Sequence, residues 1–264
     1  MKNFLQNIII EAGKKTLNFR KKPGSLKIDR KSEKDLVTEA DKAIENFLVR
    51  KIRKKYPTHA ILGEEGGERS GDNYRWIIDP IDGTSSFIHQ QPLYSVSIAV
   101  EHCGEIVLAA IYAPVLDEIF FAEKGKGASC NNKTIKVSKR KKLIDCILGT
   151  GFACLRSGLE HNNLPYLIEI LPQIRDIRRS GSAALDMSFV ACGRLDGFWE
   201  LNLNIYDLAA GILILNEAGG KVSNFTGGMQ NIYSQCLATN ALLHNDLLDI
   251  LKSIYYRLQK HPEK

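Results

Sequence analysis

At 264 residues, 44% apolar and 25% charged, the chain has the make-up of an ordinary globular protein that can bury a core without disulfide support. A net charge of +6 is mild; it fits an enzyme of anionic substrates or weak attraction to nucleic acid, and establishes neither. The six cysteines form no C-x-x-C pair and stand at no zinc-finger spacing from a histidine, which argues for reduced thiols and a cytoplasmic location, and no stretch approaches the roughly 20 apolar residues that cross a bilayer.

Phe4, Leu5, Ile8, Ile9 and Ala12 repeat at helical spacing, and Gln6, Asn7 and Glu11 interrupt what would otherwise imitate a signal peptide. The spacing predicts an amphipathic helix to about Phe19, broken by Lys21-Lys22-Pro23-Gly24. The basic segment from Lys27 to Lys34 reads as a mobile loop. Thr38 is the expected N-cap of a second helix that carries Ala43, Ile44, Phe47, Leu48 and Ile52 inward. That helix should end near Tyr56-Pro57, with Lys51, Arg53, Lys54 and Lys55 favourable at its negative end.

Ala60-Ile61-Leu62 is a short strand that delivers Gly63-Glu64-Glu65-Gly66-Gly67. A second strand begins at Trp76 and should stop at Pro80, which has no amide for a sheet ladder. Tyr94–Val100, Ile106–Tyr112 and Glu118–Ala122 are further strands, so the first half reads as an antiparallel sheet flanked by helices. Past Lys139-Arg140-Lys141-Lys142 the pattern alternates. Ile147–Gly149, Ile174–Ile177 and Leu195–Leu201 read as strands; helices are expected from Ala183 through Val190, over Asp207–Ala218 and over about Ala241–Leu258. No internal repeat or linker separates the halves, so one domain over residues 1–264 is expected, with lobes at about 1–142 and 143–264.

The most informative stretch is Trp76-Ile77-Ile78-Asp79-Pro80-Ile81-Asp82-Gly83-Thr84. An apolar strand delivers two carboxylates, then a glycine and a hydroxyl. Two anions held that close repel each other, so a cation between them is expected, and hard oxygen ligands suit Mg²⁺. Glycine lets the backbone approach an oxyanion, and a helix starting at Ser85-Ser86-Phe87 would offer free amides to a phosphate. Glu64 and Glu65 also follow a strand, Asp207 opens an apolar helix, and Asp41 lies in a first helical turn. Carboxylates at strand ends and helix starts can converge on one face of an α/β sandwich. The plainer reading stays open for several: Asp41 as the partner of Thr38 in a capping box, Asp207 as a dipole-favoured helix start, Glu65 as a solvated neighbour. His89 reads as a surface or packing residue. His59, His102 and His161 show no ligand spacing, and Met187 and Phe189 read as core.

On these segments the chain resembles the inositol monophosphatase family, in its bacterial branch. Trp76 to Thr84 matches the family's first signature. Tyr206-Asp207-Leu208-Ala209-Ala210-Gly211 with Glu217-Ala218-Gly219-Gly220 matches its second. Asp35 to Asp41, Gly63-Glu64-Glu65 and Arg179-Ser180-Gly181-Ser182-Ala183-Ala184 agree in order and spacing.

The resemblance implies a layered α-β-α-β-α sandwich and a Mg²⁺-dependent, lithium-sensitive hydrolase of inositol 1-phosphate or a similar sugar or polyol monophosphate. It implies two or three ions: Glu64, Asp79 and the Ile81 carbonyl on one, Asp79, Asp82 and Asp207 on a second, Asp41 and Glu64 helping a weaker third. Thr84 and Glu64 would orient and deprotonate the attacking water. The Gly83 and Thr84 amides would bind phosphate, and Glu200, Gly181, Ser182 and Ala183 would meet the alcohol. A homodimer is implied, and so is an association with the transcription machinery, since Arg179 to Trp199 resembles that branch. Fructose 1,6-bisphosphate, histidinol phosphate and nucleotide 3′-phosphate remain alternative substrates. Tyr206, Ser85-Ser86 and Leu201–Ile205 depart from the family's commonest pattern, the last beside the Glu200 pocket.

Overall fold

A computed structural model describes residues 1–21, 28–30 and 36–260. Most of the Lys27–Lys34 segment, the Lys22-Pro23-Gly24 break and Asp35 lie outside the described residues. Ile28–Arg30, expected within a loop, is a strand (β1) paired antiparallel with Leu36–Thr38 (β2).

Five layers stack. The outermost holds α1 (Lys2–Arg20) and α2 (Glu39–Lys55). Leu5, Ile8 and Ile9 of the first and Ile44, Leu48 and Ile52 of the second repeat at helical spacing and are fully buried against the next layer. That layer is an eight-stranded sheet of order β10-β9-β8-β7-β6-β5-β3-β4. Its strands are β3 (Ala60–Gly63), β4 (Gly67–Arg69), β5 (Tyr74–Asp82), β6 (Ser95–His102), β7 (Glu105–Ala113), β8 (Glu118–Glu123), β9 (Ala128–Cys130) and β10 (Lys133–Thr134). The sheet is antiparallel apart from the parallel pair β3 and β5. Period-two alternation serves both faces. Trp76, Ile78, Ile98 and Val100 face α1 and α2, whereas Ile77, Ala99, Ala109, Ile111 and Phe120 face the middle layer.

The middle layer is α6 (Ala183–Ala191) and α7 (Ile205–Glu217), apolar on nearly every side because sheets cover both faces. Met187 is fully buried there, as expected, and Phe189 packs against the same cluster. The fourth layer is a five-stranded sheet of order β12-β11-β13-β15-β14, made of β11 (Ile147–Thr150), β12 (Asp176–Arg178), β13 (Gly197–Leu201), β14 (Lys221–Ser223) and β15 (Gln235–Thr239). Beneath it, α5 (Leu164–Ile170) and α8 (His244–Lys260) enclose Leu148, Trp199 and Leu237 with Tyr166, Leu247 and Leu251. The short helices α3 (Thr84–Ile88) and α4 (Ala153–Arg156) complete the architecture, which is the expected α-β-α-β-α sandwich.

Several elements differ from the sequence reading. β5 runs on through Pro80 to Asp82, because the sheet bulges there. Asp79 pairs with Ser97 and Asp82 with Ser95, so three steps on β5 match two on β6, and the missing proline amide costs no ladder bond. α7 begins at Ile205 rather than Asp207: Asn204 is its N-cap and Asp207 its third residue. α5, β14 and β15 have no counterpart among the expected elements. Their short apolar runs carry no decisive period.

Candidate active site

β3 and β5 run parallel, with Gly63 opposite Ile78, so both deliver their next residue at the same sheet edge. Glu64 and Asp79 therefore leave side by side, and the Glu64 amide donates to the Ile78 carbonyl at 3.2 Å. The bulge then turns the chain inward. Asp79 is buried and its Oδ1 accepts from the Ile81 amide at 3.0 Å. Asp82, also buried, points toward the middle layer, where its Oδ2 accepts from the Ser182 hydroxyl at 2.6 Å and the Ala184 amide at 2.7 Å. This carboxylate thus engages the first turn of α6. Gly83 follows at φ 96°, in the left-handed region that glycine enters without strain, and caps α3. That helix starts at Thr84, one residue earlier than the sequence reading placed it.

Asp207 reaches the same point from α7, its Oδ2 accepting from the Asn204 amide at 2.6 Å. Asp79, Asp82 and Asp207 each offer a carboxylate oxygen, and the three oxygens lie within 4.8 Å of one another. Burial pushes the Asp79 carboxyl well above its ordinary range, with the charges of Glu64, Asp82 and Asp207 adding to the effect. Burial likewise raises Asp82, to about 6, against the pull of Ser182 and Ala184. Asp207 rises through burial and the charge of Asp82. Three crowded, dehydrated carboxyls that resist ionisation are a ready cation site, and an all-oxygen donor set fits a hard divalent ion.

Asp41 stands one layer back, outside the cavity lining. Its Oδ2 accepts from the Thr38 amide at 2.8 Å and hydroxyl at 2.6 Å, completing the capping box. Its Oδ1 lies 3.4 Å from the Thr84 hydroxyl oxygen, so capping and contact with the site coexist. The Thr84 hydroxyl also lies 3.2 Å from the Ile81 carbonyl, to which it donates. Burial lifts the Asp41 carboxyl to about 6.

These groups open onto a cavity of about 500 Å³. Glu64, Glu65, Asp79, Ile81, Asp82, Gly83, Thr84, Gly181, Ser182, Ala183, Glu200 and Asp207 all line it, so every candidate except Asp41 meets there. Glu200 sits in the fourth layer, buried. Its Oε1 accepts from the Ala153 amide at 3.0 Å, and burial lifts its carboxyl to about 7. No histidine is among the described lining residues. His59 instead stacks between Tyr56 and Tyr74 and accepts the Trp76 indole hydrogen at 3.0 Å.

Sequence reasoning missed Asp186, Arg156 and Thr150, which line the cavity; Asn202 and Asn204 line it too, and fall within the Leu201–Ile205 segment expected beside the Glu200 pocket. Asp186 had a usable signal: it is the one ionisable residue of the apolar helix Ala183–Ala191. It is buried, burial pushes its carboxyl well up, and its Oδ1 has no hydrogen-bond partner among the described residues. Seven lining carboxyls (Glu64, Glu65, Asp79, Asp82, Asp186, Glu200, Asp207) face two lining cations, Arg156 and Arg179. The imbalance calls for further positive charge from a ligand.

The chain is similar to several known proteins. The family model described as the inositol monophosphatase family matches residues 1–256. Over 208 residues the chain is 46% identical to the "Nus factor SuhB" of Pseudomonas aeruginosa, covering 76% of this chain and 77% of that one. It is 40% identical over 231 residues to an "Inositol-1-monophosphatase" of Mesorhizobium japonicum, covering 86% and 87%. The crystal structure of the extragenic suppressor protein suhB from Bartonella henselae superposes with a TM-score of 0.90 at 38% identity, covering 95% of this chain and 98% of that one.

Proposed function

Because the chain belongs to the inositol monophosphatase family, we propose that this phosphatase hydrolyses inositol 1-phosphate or a similar sugar or polyol monophosphate with the help of two or three Mg²⁺ ions. The observation that carries the reading is the meeting of Asp79, Asp82 and Asp207 oxygens within 4.8 Å at the head of an acid-lined cavity. Those three carboxylates, with Glu64 and the Ile81 carbonyl, are the groups that would hold the ions, and Asp41 supports them from behind Thr84. Bound there, Mg²⁺ supplies charge neutralisation and Lewis-acid polarisation at the phosphoryl group.

The chain's own residues do the positioning, on which phosphoryl transfer mostly depends. The Gly83 and Thr84 amides receive phosphate oxygens at the start of α3. The Thr84 hydroxyl donates to the Ile81 carbonyl and lies within reach of Asp41, so its oxygen is fixed and free to accept a hydrogen from the attacking water. Glu64 takes that water's proton. On the far side Glu200, flanked by Gly181, Ser182 and Ala183, accepts a hydroxyl of the departing alcohol. Initial rates over inositol 1-phosphate, fructose 1,6-bisphosphate, histidinol phosphate and a nucleotide 3′-phosphate at fixed Mg²⁺ test the assignment. The polyol monophosphate is expected to lead in kcat/KM. A nucleotide or histidinol ester leading by tenfold or more would remove the substrate class while leaving the chemistry. Lithium inhibition in the same assay is expected.

A second reading draws on the relative named as a Nus factor: an association with the transcription machinery beside the phosphatase activity. A turnover-dead variant should still retain RNA polymerase components from a lysate at physiological salt, and failure to do so removes this reading. We also propose a homodimer of two-lobed, single-domain subunits in the cytoplasm, to be checked by sedimentation and fractionation. Among the described residues no helix is long and apolar enough to cross a membrane.

A further inference from the structure

Glu45 sits one turn beyond Asp41 on the inward face of α2 and is buried at 4% exposure, yet it does not line the cavity. Its carboxylate accepts from two consecutive backbone amides, Oε2 from Glu65 at 2.8 Å and Oε1 from Gly66 at 2.7 Å. These are the two amides that follow Glu64. The glycines around the turn are shaped to this carboxylate. A Cβ on Gly63 would fall 2.5 Å from Glu45 Cδ, and one on Gly66 would fall 2.6 Å from Glu45 Oε1. The Gly63…Gly66 spacing thus makes room for a side chain arriving from another layer.

The turn between β3 and β4 needs such an anchor. It is short, with Gly63 paired to Gly67, and rich in glycine, so its own backbone is permissive. Glu64 must also point at Asp79, Asp82 and Asp207, whose charges oppose its own. We infer that Glu45 is a positioning residue for the metal site, clamping the β3–β4 turn through two charge-assisted hydrogen bonds so that the Glu64 carboxylate enters the carboxylate cluster in a fixed direction. α2 then braces the site twice from one face, through Asp41 behind Thr84 and through Glu45 behind Glu64. This inference rests on the reading of Glu64 as a metal ligand.

The test is a titration of the full-length protein with Mn²⁺, followed by electron paramagnetic resonance, alongside hydrogen exchange at the Glu65 and Gly66 amides. Glu45→Gln preserves size but puts an NH₂ against one of the two amides, so only one acceptor remains. The expected result is a Kd for Mn²⁺ raised by about 10- to 100-fold, the range typical of losing a partner that orients a metal ligand. Faster exchange at both amides should accompany it, and activity lost at low Mg²⁺ should recover as Mg²⁺ is raised. Gly66→Ala, whose Cβ would fall 2.6 Å from Oε1, should shift the Kd the same way and serves if Glu45→Gln does not fold. Glu64→Gln is the control. If it weakens Mn²⁺ binding and the Glu45 and Gly66 variants do not, even with a lowered melting temperature, Glu45 merely supports the fold and the inference is overturned. If Glu64→Gln leaves the Kd unchanged, the ligand reading of Glu64 falls and the positioning role with it.

Discussion

The two walls of the cavity are built on different plans. The wall contributed by the eight-stranded sheet takes Asp79, Ile81, Asp82, Gly83 and Thr84 from one continuous segment, with Glu64 from the neighbouring parallel strand. Donors back its carboxylates: the Ile81 amide behind Asp79, and the Ser182 hydroxyl and Ala184 amide behind Asp82. The wall contributed by the five-stranded half takes Thr150, Arg156, Arg179, Asp186, Glu200 and Asn204 from separate segments, and both arginines are exposed. A rigid, contiguous wall holds the reacting phosphoryl group, where small displacements are costly. A wall assembled from separate segments can change its selectivity while the chemistry stands. Asp207 belongs to both: it projects into the first wall's cluster from a helix that starts in the second wall's loop.

Substitutions on each wall should separate these roles. The largest effect is expected from Asp82→Asn, which removes a charge from the cluster but keeps an oxygen for Ser182 and Ala184. Turnover should fall by more than the roughly 100-fold upper range for groups acting through a metal ligand, with a far-ultraviolet circular dichroism melt close to the parent's. Mg²⁺-dependent rates at the parent level in the folded variant would break the comparison.

Glu200→Gln is expected to act through the alcohol. Losing a hydrogen bond to a charged group is worth about 1.5–3 kcal/mol, so kcat/KM on a polyol phosphate should fall about 10- to 100-fold. The same variant should move the rate on an aryl phosphate without hydroxyls by about twofold at most, since the term in question never forms there. Equal losses on both esters would place Glu200 on the phosphoryl side.

The mildest effect is a pH dependence of metal stabilisation. Asp41 and Asp82 have folded values near 6 against 3.8 for the free side chain. Between those values the metal-free folded chain binds more protons than the unfolded chain, so these groups cost stability as pH rises from about 4 through 6. A bound cation replaces the protons and reverses that loss. The gain in Tm on adding Mg²⁺ should therefore be small at pH 5 and full above pH 7. At about 100 times Kd it should reach roughly 5–10 °C. A gain of the same size at pH 5 and pH 8 would place the protonatable cluster away from the ions.

The same contrast governs what was legible beforehand. Asp79, Asp82, Gly83 and Thr84 announce themselves because strand, bulge and helix start are consecutive in sequence, and Glu64 because glycines frame it. Glu200 was reachable only through family resemblance, since a lone acid on an apolar strand reads equally well as a solvated edge. Asp186, Arg156 and Glu45 were passed over. Asp186 carried a local signal, as the lone ionisable residue of an apolar helix, whereas Arg156 and Glu45 are ordinary residues on their own helices; Glu45 gains its role from the amides of Glu65 and Gly66 in another layer.

Hydrophobic periodicity fixed which segments became α1, α2, α6, α7 and α8 and the central strands, because side-chain spacing along a helix or strand is a local property. Tertiary structure alone decided that β3 lies parallel to β5, that Pro80 sits inside a bulge rather than at a strand end, and that α7 brings Asp207 to the strand end opposite Asp82. Strand order, register and the convergence of charges depend on how whole layers bury one another's faces, and no window of sequence contains that information.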